Sequence, residues 1–196
     1  MFSWLAASSA WELAAVILGI AYLLLATWEK IACWYAAFLG TAIYLGLFWQ
    51  VGLLMEALLQ IYYLAMAVYG WYCWRGGVHR GAGLAVSVWT GRRHLQVILA
   101  VVLVSFISGL LLSRFTEARL PYLDSFTTWG SLVTTWMVAR KLLENWLYWI
   151  LIDAVSIYMY IDRELYLTAV LFGLYVIIAI FGFFLWRRQY REERAS

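Results

Sequence analysis

Long apolar stretches alternate with short charged clusters along this chain. The clusters lie at residues 29–30, 75–94, 114–124, 140–144, 162–164 and from 187 onward. The apolar stretches between them are about 16 to 22 residues long, close to the roughly 20 that a helix needs to cross a bilayer. The pattern predicts an all-α integral membrane protein with seven transmembrane helices, at residues 10–27, 31–48, 53–74, 95–113, 125–140, 143–160 and 165–186.

The second and third helices are separated by a turn that carries no charge. Residues 31–74 contain no Lys or Arg, and a single helix of that length would be about twice as long as a membrane is thick. The chain is therefore predicted to turn back at residues 49–52. The single proline, Pro121, is predicted to lie in the loop before the fifth helix.

The composition supports a membrane location, and the charges orient the chain. It is 66% hydrophobic and 13% charged, which is more apolar surface than 196 residues can bury in a soluble core. Eleven of the 14 Lys and Arg residues lie on the side that holds the C-terminus. The positive-inside rule then predicts an external N-terminus and a cytoplasmic C-terminus. The basic loop 75–94 favours contact with membrane lipid and not with nucleic acid.

The sequence shows no cluster of metal-binding residues, and its first apolar stretch does not have the features of a cleaved signal peptide. Cys33 and Cys73 have no CxxC spacing, and the two histidines, His79 and His94, are far apart in the basic loop. A metal site or a metalloenzyme needs clustered ligands, so we expect no enzyme, no cofactor and no metal. The first apolar stretch contains Glu12 and lacks a basic leader, so it is expected to be retained as a helix.

The sequence also repeats itself at a distance of 112 residues. Shifting 30–75 onto 142–187 superimposes Trp34, Tyr63, Gly70, Trp74 and Arg75 on Trp146, Tyr175, Gly182, Trp186 and Arg187. The displacement is four helices, so both copies cross the membrane in the same direction. We predict two parallel three-helix bundles joined by a linker helix, a 3+1+3 arrangement like that of SWEET-type carriers, with the substrate between the bundles. The segments are 1–74, a basic loop with helix 4 at 75–124, 125–186, and a cytoplasmic tail at 187–196.

Two of the predicted helices carry polar side chains within the membrane. Asn145, Trp149 and Asp153 in helix 6 are spaced by four residues and share one face. Gln60 is expected near mid-depth in helix 3. An Asp at such depth costs roughly 2.5 to 3.5 kcal/mol on insertion scales, which makes it a functional candidate. The predicted substrate-binding residues are Gln60, Tyr63, Asn145, Trp146, Trp149, Asp153 and Trp186.

The polar residues differ between the two copies, although the scaffold recurs. Gln60 aligns with Phe172, and Asp153 aligns with Thr41. Asymmetric polar groups on a symmetric scaffold favour a site for an asymmetric ligand. Two other interpretations stay open: the polar groups tie helices together, or the tryptophans belong to interfacial belts. Aromatic faces attract flat rings and cations, whereas amides and carboxylates suit hydroxyl and amide groups, so the predicted ligand is a flat ring, either neutral or cationic, that bears a sugar.

Residues 136–160, which include Arg140, Lys141, Glu144, Asn145 and Trp149, resemble the signature of the PnuC-type nicotinamide riboside transporters. Residues 60–74 and 182–186 resemble two further signatures of that family. The resemblance implies a bacterial inner-membrane carrier of nicotinamide riboside that works by facilitated diffusion, with cytoplasmic phosphorylation trapping the product. It also implies a homo-oligomer, expected to be a trimer.

The resemblance also suggests how the candidate residues divide their work. Trp149, Trp186 and Tyr63 would contact the ring, and the amide and ribose would be bound by Asn145, Gln60 and Asp153. The alternative function is an ion- or proton-coupled carrier of another small nucleoside-like or sugar-like solute, because Asp153 and Glu56 could relay a cation.

Overall fold

A computed structural model describes residues 2–50, 52, 54–79, 84–116 and 118–195, with side-chain positions for 10–50, 52, 56–76, 84–116 and 118–195. Within these residues there are seven α-helices, and the all-α prediction is confirmed. They are α1 (Phe2–Thr27), α2 (Cys33–Gln50), α3 (Leu54–His79), α4 (Gly91–Phe115), α5 (Pro121–Ala139), α6 (Asn145–Asp162) and α7 (Tyr166–Ala195).

Several helices extend beyond the apolar stretches that predicted them. The helix α7 continues to Ala195, so most of the predicted tail 187–196 is helical. The basic loop is shortened from both ends, because α3 continues to His79 and α4 begins at Gly91. Backbone hydrogen bonding does not require apolar side chains, so a helix need not end where the bilayer does.

The fifth helix begins at Pro121, and the prediction that this residue lies in the preceding loop was wrong. The first turn of a helix has N–H groups without intrahelical acceptors, so a proline loses nothing there and its fixed φ suits the helix. The turn predicted at 49–52 is confirmed where it is described: α2 ends at Gln50, and Gly52 has a left-handed φ of 77°. Val51 lies outside the described residues.

The chain forms two compact units, Met1–Ala85 and Val86–Ser196. In the first unit, α1 packs on α2 and α2 packs on α3. In the second unit, α4 packs on α5, α5 on α6, and α6 on α7. The second unit therefore contains α4 together with the three helices of the predicted second bundle.

The aromatic core of each unit has the same construction. In the first unit the rings of Trp34 and Trp74 meet edge to face, 5.5 Å apart at 86°. In the second unit Trp146 and Trp186 do the same, 5.3 Å apart at 88°. All four indoles are buried, so the residues matched by the repeat form the same aromatic pair in both units.

Glycines in the third helix of each bundle make room for these pairs. A Cβ built on Gly70 would lie 2.3 Å from the Trp34 ring, and one built on Gly182 would lie 2.8 Å from the Trp146 ring. Both distances are far below van der Waals contact. The close approach of ring and backbone therefore requires glycine at both positions.

The backbone turns between helices also recur in both units. Glu29 after α1 has φ 54°, and Lys141 after α5 has φ 50°. The next N–H in each turn closes a Schellman motif: Lys30 donates to the Leu25 carbonyl at 2.9 Å, and Leu142 donates to the Met137 carbonyl at 3.0 Å. These positions differ by the 112 residues of the repeat, so the duplication includes the backbone of the turns.

Helix α4 is fixed to α5 by small and polar residues. A Cβ built on Gly109 would lie 2.6 Å from the Tyr122 ring, and the Trp129 indole N–H donates to Ser108 Oγ at 3.0 Å. Much of the remaining surface of α4 is apolar and exposed, including Leu99 and Leu103.

Three of the helices meet length and hydropathy limits for a membrane span. Within the described residues these are α4, α7 and the segment Ala10–Thr27 of α1. Their exposed apolar faces suit contact with lipid hydrocarbon.

Different segments are joined by hydrogen bonds at the two ends of the second unit. At one end Val86 N–H donates to the Glu193 carboxylate at 3.2 Å, which joins the segment before α4 to the end of α7. At the other end the Arg163 guanidinium donates to the Arg119 carbonyl at 3.2 Å. The predicted topology places the segment before α4 and the end of α7 on one side of the membrane, and the loops that contain Arg119 and Arg163 on the other side.

Candidate functional site

The polar face of α6 is formed as the spacing predicts. Asn145 is the first residue of the helix and is fully buried, and Asp153, two turns further on, is 5% exposed. Trp149 lies between them and is half-buried. Ser156 continues the face, but its hydroxyl donates to the Ile152 carbonyl of its own helix. The groups left for a ligand on this face are therefore the amide, the indole and the carboxylate.

The amide of Asn145 is held from one side only. Its Nδ2 donates to the Leu142 carbonyl at 2.6 Å. Its Oδ1 is buried and accepts no hydrogen bond from the described residues. Buried polar atoms are nearly always paired in folded proteins, so an orphaned acceptor needs an explanation. A donor group on a ligand would satisfy it.

The carboxylate of Asp153 is also buried without a compensating charge. None of the described Lys, Arg or His residues forms an ion pair with it, and it lies in the middle of α6. Burying an ionised carboxylate is costly unless a cation or several donors face it. This makes Asp153 suitable for balancing the charge of a cationic ligand.

The two other predicted tryptophans of this unit are enclosed by protein. Trp146 is 1% exposed and Trp186 is 0% exposed, and each covers the other. Their arrangement matches that of Trp34 and Trp74, so in the described conformation they pack the scaffold. A substrate contact for either ring stays a prediction, and it would require the helices of this bundle to separate.

The predicted residues of the first unit lie on α3. Gln60 and Tyr63 are both half-buried, and Tyr63 meets the neighbouring Tyr62 ring edge to face at 5.7 Å. Glu56, one turn earlier, is exposed. The structure thus brings Gln60 and Tyr63 together on one helix, and it brings the other five predicted residues together within the second unit.

A polar network beside Asn145 was missed by the sequence analysis. Glu144, the residue before it, lies 3.3 Å from His94, which in turn lies 2.9 Å from the Tyr148 hydroxyl. The adjacent Glu144 and Asn145 were a visible signal. The partner was not, because His94 is 50 residues away in sequence and its approach depends on the packing of α4.

No group of three or more His, Cys, Asp or Glu side chains that could hold a metal ion occurs in the described part of the chain. The candidate groups described above are an amide, a carboxylate and aromatic rings. Such groups bind organic ligands through hydrogen bonds, charge and ring contacts.

Comparison with known proteins gives this helical scaffold a family. The model of the family described as nicotinamide mononucleotide transporter matches residues 9–188. The chain belongs to this family. It is thus a membrane transport protein and not an enzyme, and the resemblance noted in its signatures is confirmed.

Curated proteins with transporter names are similar to this chain over nearly its whole length. The nicotinamide riboside transporter PnuC of Escherichia coli K12 is 26% identical over 207 residues, which cover 93% of this chain and 87% of that protein. The riboflavin/roseoflavin transporter RibM of Streptomyces davaonensis is 27% identical over 184 residues, covering 91% and 85%.

A solved structure has the same fold. The crystal structure of the vitamin B3 transporter PnuC superimposes with a TM-score of 0.73 at 19% identity, covering 94% of this chain and 83% of that one. Its likeness concerns the fold alone. Together with the family match, it identifies the apolar helices described above as those of a membrane protein.

Proposed function

We propose that this protein carries nicotinamide riboside across the bacterial inner membrane by facilitated diffusion. The observation that carries the proposal is the family match over residues 9–188, supported by a named nicotinamide riboside transporter that aligns with 93% of the chain. The chemistry of the candidate residues agrees with it. Nicotinamide riboside is a flat cationic ring with an amide and a ribose, and this chain offers aromatic rings, amides and a buried carboxylate.

The proposed contacts follow the chemistry of each side chain. Asn145 Oδ1 is an acceptor without a hydrogen-bond donor among the described residues, so it suits the carboxamide N–H or a ribose hydroxyl. Asp153 balances the pyridinium charge or accepts from the ribose, and Trp149 stacks on the ring. On α3, Tyr63 contacts the ring and Gln60 binds the amide or ribose. The Trp146 and Trp186 rings pack edge to face and hold α6 and α7 together, and a contact of either ring with the substrate stays a prediction.

The 3+1+3 arrangement is part of the proposal. It is supported by three features that α1–α3 and α5–α7 share: the aromatic pair, the glycine that makes room for it and the backbone of the turn. The seven proposed membrane crossings rest on the seven apolar stretches of bilayer length, and the external N-terminus and cytoplasmic C-terminus rest on the charge distribution. Assembly as a homotrimer, contact with anionic lipid, and trapping of the substrate by cytoplasmic phosphorylation complete the proposal.

Titration calorimetry on the purified full-length protein tests the site. We expect nicotinamide riboside to bind, and we expect Asn145→Ala and Trp149→Ala to weaken binding about tenfold or more, which corresponds to about 1.4 kcal/mol. Cys33→Ala is the matched control for Asn145, because Cys33 is fully buried at the equivalent position of the first unit. Trp49→Ala, which removes an exposed indole, is the control for Trp149. Unchanged affinity in both site variants would remove this site.

A second candidate function rests on the buried carboxylate of Asp153. A proton or sodium ion could neutralise it during transport of another nucleoside-like or sugar-like solute. Uptake into proteoliposomes with and without an imposed ion gradient separates the two functions. Facilitated diffusion predicts uptake that is indifferent to the gradient. Riboflavin is the competitor to include, because a protein named as a riboflavin/roseoflavin transporter is 27% identical to this chain.

A further inference from the structure

An extended segment before α4 crosses the end of the second unit. We call residues 86–90 the strap. Ser87 N–H donates to the Lys141 carbonyl at 3.0 Å, and Leu143 N–H donates to the Ser87 carbonyl at 2.8 Å. These two bonds form an isolated parallel bridge between Ser87 and Leu142, in the turn that precedes α6. The strap is thus paired with the turn from which Asn145 emerges.

The strap continues into a polar network centred on Glu144. Glu144 Oε1 accepts a hydrogen bond from Trp89 N–H at 3.1 Å and lies 3.3 Å from His94 Nε2. His94 Nδ1 lies 2.9 Å from the Tyr148 hydroxyl. A single neutral tautomer satisfies the ring: Nε2–H donates to the carboxylate and Nδ1 accepts from the phenol. Glu144 therefore links the strap, α4 and α6.

The network acts on the same turn that orients the Asn145 amide. The Leu142 carbonyl accepts both the Asn145 backbone N–H at 3.1 Å and its Nδ2 at 2.6 Å. Leu142 is the residue bridged to Ser87, and Glu144 immediately precedes Asn145. Fixing residues 141–144 therefore fixes the direction in which the unpaired Asn145 Oδ1 points.

The first unit provides an internal comparison. Its turn after α1 has a left-handed residue at the equivalent position and the same Schellman hydrogen bonds. However, Ala32 and Cys33 stand where the second unit has Glu144 and Asn145. Among the described residues of the first unit no β-bridge is formed at this turn. The backbone of the turn therefore does not need a strap or a glutamate, and these additions accompany the asparagine.

We propose that Glu144, held by Trp89 and His94, is a positioning residue that sets the orientation of Asn145 for substrate binding. The inference rests on the proposed function, in which Asn145 contacts the substrate. In this proposal Glu144 contributes through Oε1, which faces Trp89 and His94, whereas its Oε2 is buried and has no hydrogen-bond partner among the described residues. Glu144 acts through the hydrogen bonds that it accepts from Trp89 and His94, which hold the residues just before Asn145 in place.

Two measurements on the full-length protein test this inference. The first is the dissociation constant for nicotinamide riboside in Glu144→Ala, Glu144→Gln, His94→Ala, Asn145→Ala and the Glu144→Ala/Asn145→Ala double variant. Glu144→Ala and His94→Ala should each weaken binding about three- to tenfold, the effect of one or two hydrogen bonds. Glu144→Gln keeps the acceptor oxygen and should restore affinity to within about twofold of wild type.

The double variant distinguishes positioning from a general structural effect. If Glu144 acts through Asn145, the double variant binds no more weakly than Asn145→Ala alone, because coupled residues are not additive. Additive losses would overturn the proposal. Loss of affinity in Glu144→Gln as large as in Glu144→Ala would also overturn it, since charge alone would then explain the effect.

The second measurement needs no ligand. Hydrogen exchange at residues 141–147 should accelerate in Glu144→Ala and His94→Ala but not in Glu144→Gln, whereas exchange at residues 29–35 of the first unit should not change. Unaltered exchange at 141–147 would overturn the proposal whatever the substrate is. If the wild-type protein failed to bind nicotinamide riboside while exchange changed as expected, the proposed substrate would be wrong and the positioning of the turn would stand.

Discussion

At the scale of single residues, two glycines allow buried tryptophan rings to pack directly against a helix backbone. Gly70 and Gly182 leave room for the indoles of Trp34 and Trp146, whose ring atoms would approach an added Cβ to within 2.3 and 2.8 Å. The rings are buried and held edge to face by a second tryptophan. They therefore cannot move away without disturbing the core of their unit.

Alanine at either glycine should lower thermal stability in detergent. Overpacking of a filled core costs about 1 to 3 kcal/mol, so Gly70→Ala and Gly182→Ala should both melt below wild type. Gly76→Ala in α3 and Gly173→Ala in α7 are the matched controls, because a Cβ there meets nothing within 4 Å. They should melt at or above the wild-type temperature, since alanine favours a helix over glycine. Equal melting of Gly182→Ala and Gly173→Ala would contradict the packing argument.

The charge of Asp153 gives a second prediction at this scale. If the carboxylate faces the pyridinium, Asp153→Asn should weaken binding of nicotinamide riboside about five- to tenfold, or about 1 to 1.4 kcal/mol. Binding of the reduced, uncharged riboside should change much less, because it carries no charge to balance. Asp162→Asn, at the end of the same helix and paired with Arg119, is the control. A similar loss for both forms of the riboside would refute the charge argument.

At the scale of helices, the two bundles share the same helix positions but differ in the side chains that pack between the helices. The helices α2 and α6 both have 18 residues and start and end at positions 112 apart. Where α1 meets α2, Leu18 lies over Gly40; where α5 meets α6, the equivalent Gly130 lies under Ile152. In the first unit the large residue lies on the first helix of the pair and the glycine on the second. In the second unit the large residue lies on the second helix and the glycine on the first.

This exchange predicts a rescue by a second substitution. Gly40→Ile should destabilise the first unit by about 1 to 3 kcal/mol, because Leu18 Cβ already lies 3.2 Å from the added Cβ. Adding Leu18→Gly recreates the arrangement of the second unit and should recover part of that loss, although Leu18→Gly alone creates a cavity. Thermal unfolding of the two single variants and the double variant completes a double-mutant cycle. If the destabilisation of the double variant equalled the sum of the destabilisations of the two single variants, the argument that the large residue and the glycine have exchanged helices would be wrong.

At the scale of the whole molecule, charge and packing bear on the same question of sidedness. The strap, the turn before α6 and the end of α7 meet at one end of the second unit, where Val86 and Ser87 make their hydrogen bonds. All three are segments that the positive-inside rule assigns to the cytoplasm. Arg119 and Arg163 meet at the other end, in loops assigned to the outside.

Accessibility of single cysteines tests this sidedness. In a background lacking Cys33 and Cys73, Arg119→Cys should react with a membrane-impermeant maleimide in spheroplasts, where the outer face of the inner membrane is open to reagent. Arg188→Cys should react only after the membrane is permeabilised. The two side chains are 68% and 80% exposed, so protein burial would not limit either reaction. The reverse pattern would invert the proposed topology.

The sequence by itself determined the helices, the duplication and the residues of the α6 face. Bilayer-length apolar stretches can only be satisfied as helices, and a spacing of four residues places Asn145, Trp149 and Asp153 together whatever surrounds them. Helix ends were less predictable: Pro121 and the extension of α7 depend on local backbone satisfaction and not on hydropathy. Only the tertiary structure decided that Trp146 and Trp186 face each other, that Asn145 Oδ1 is left unpaired, and that His94 reaches Glu144. These depend on how separate helices pack, and no local periodicity carries that information.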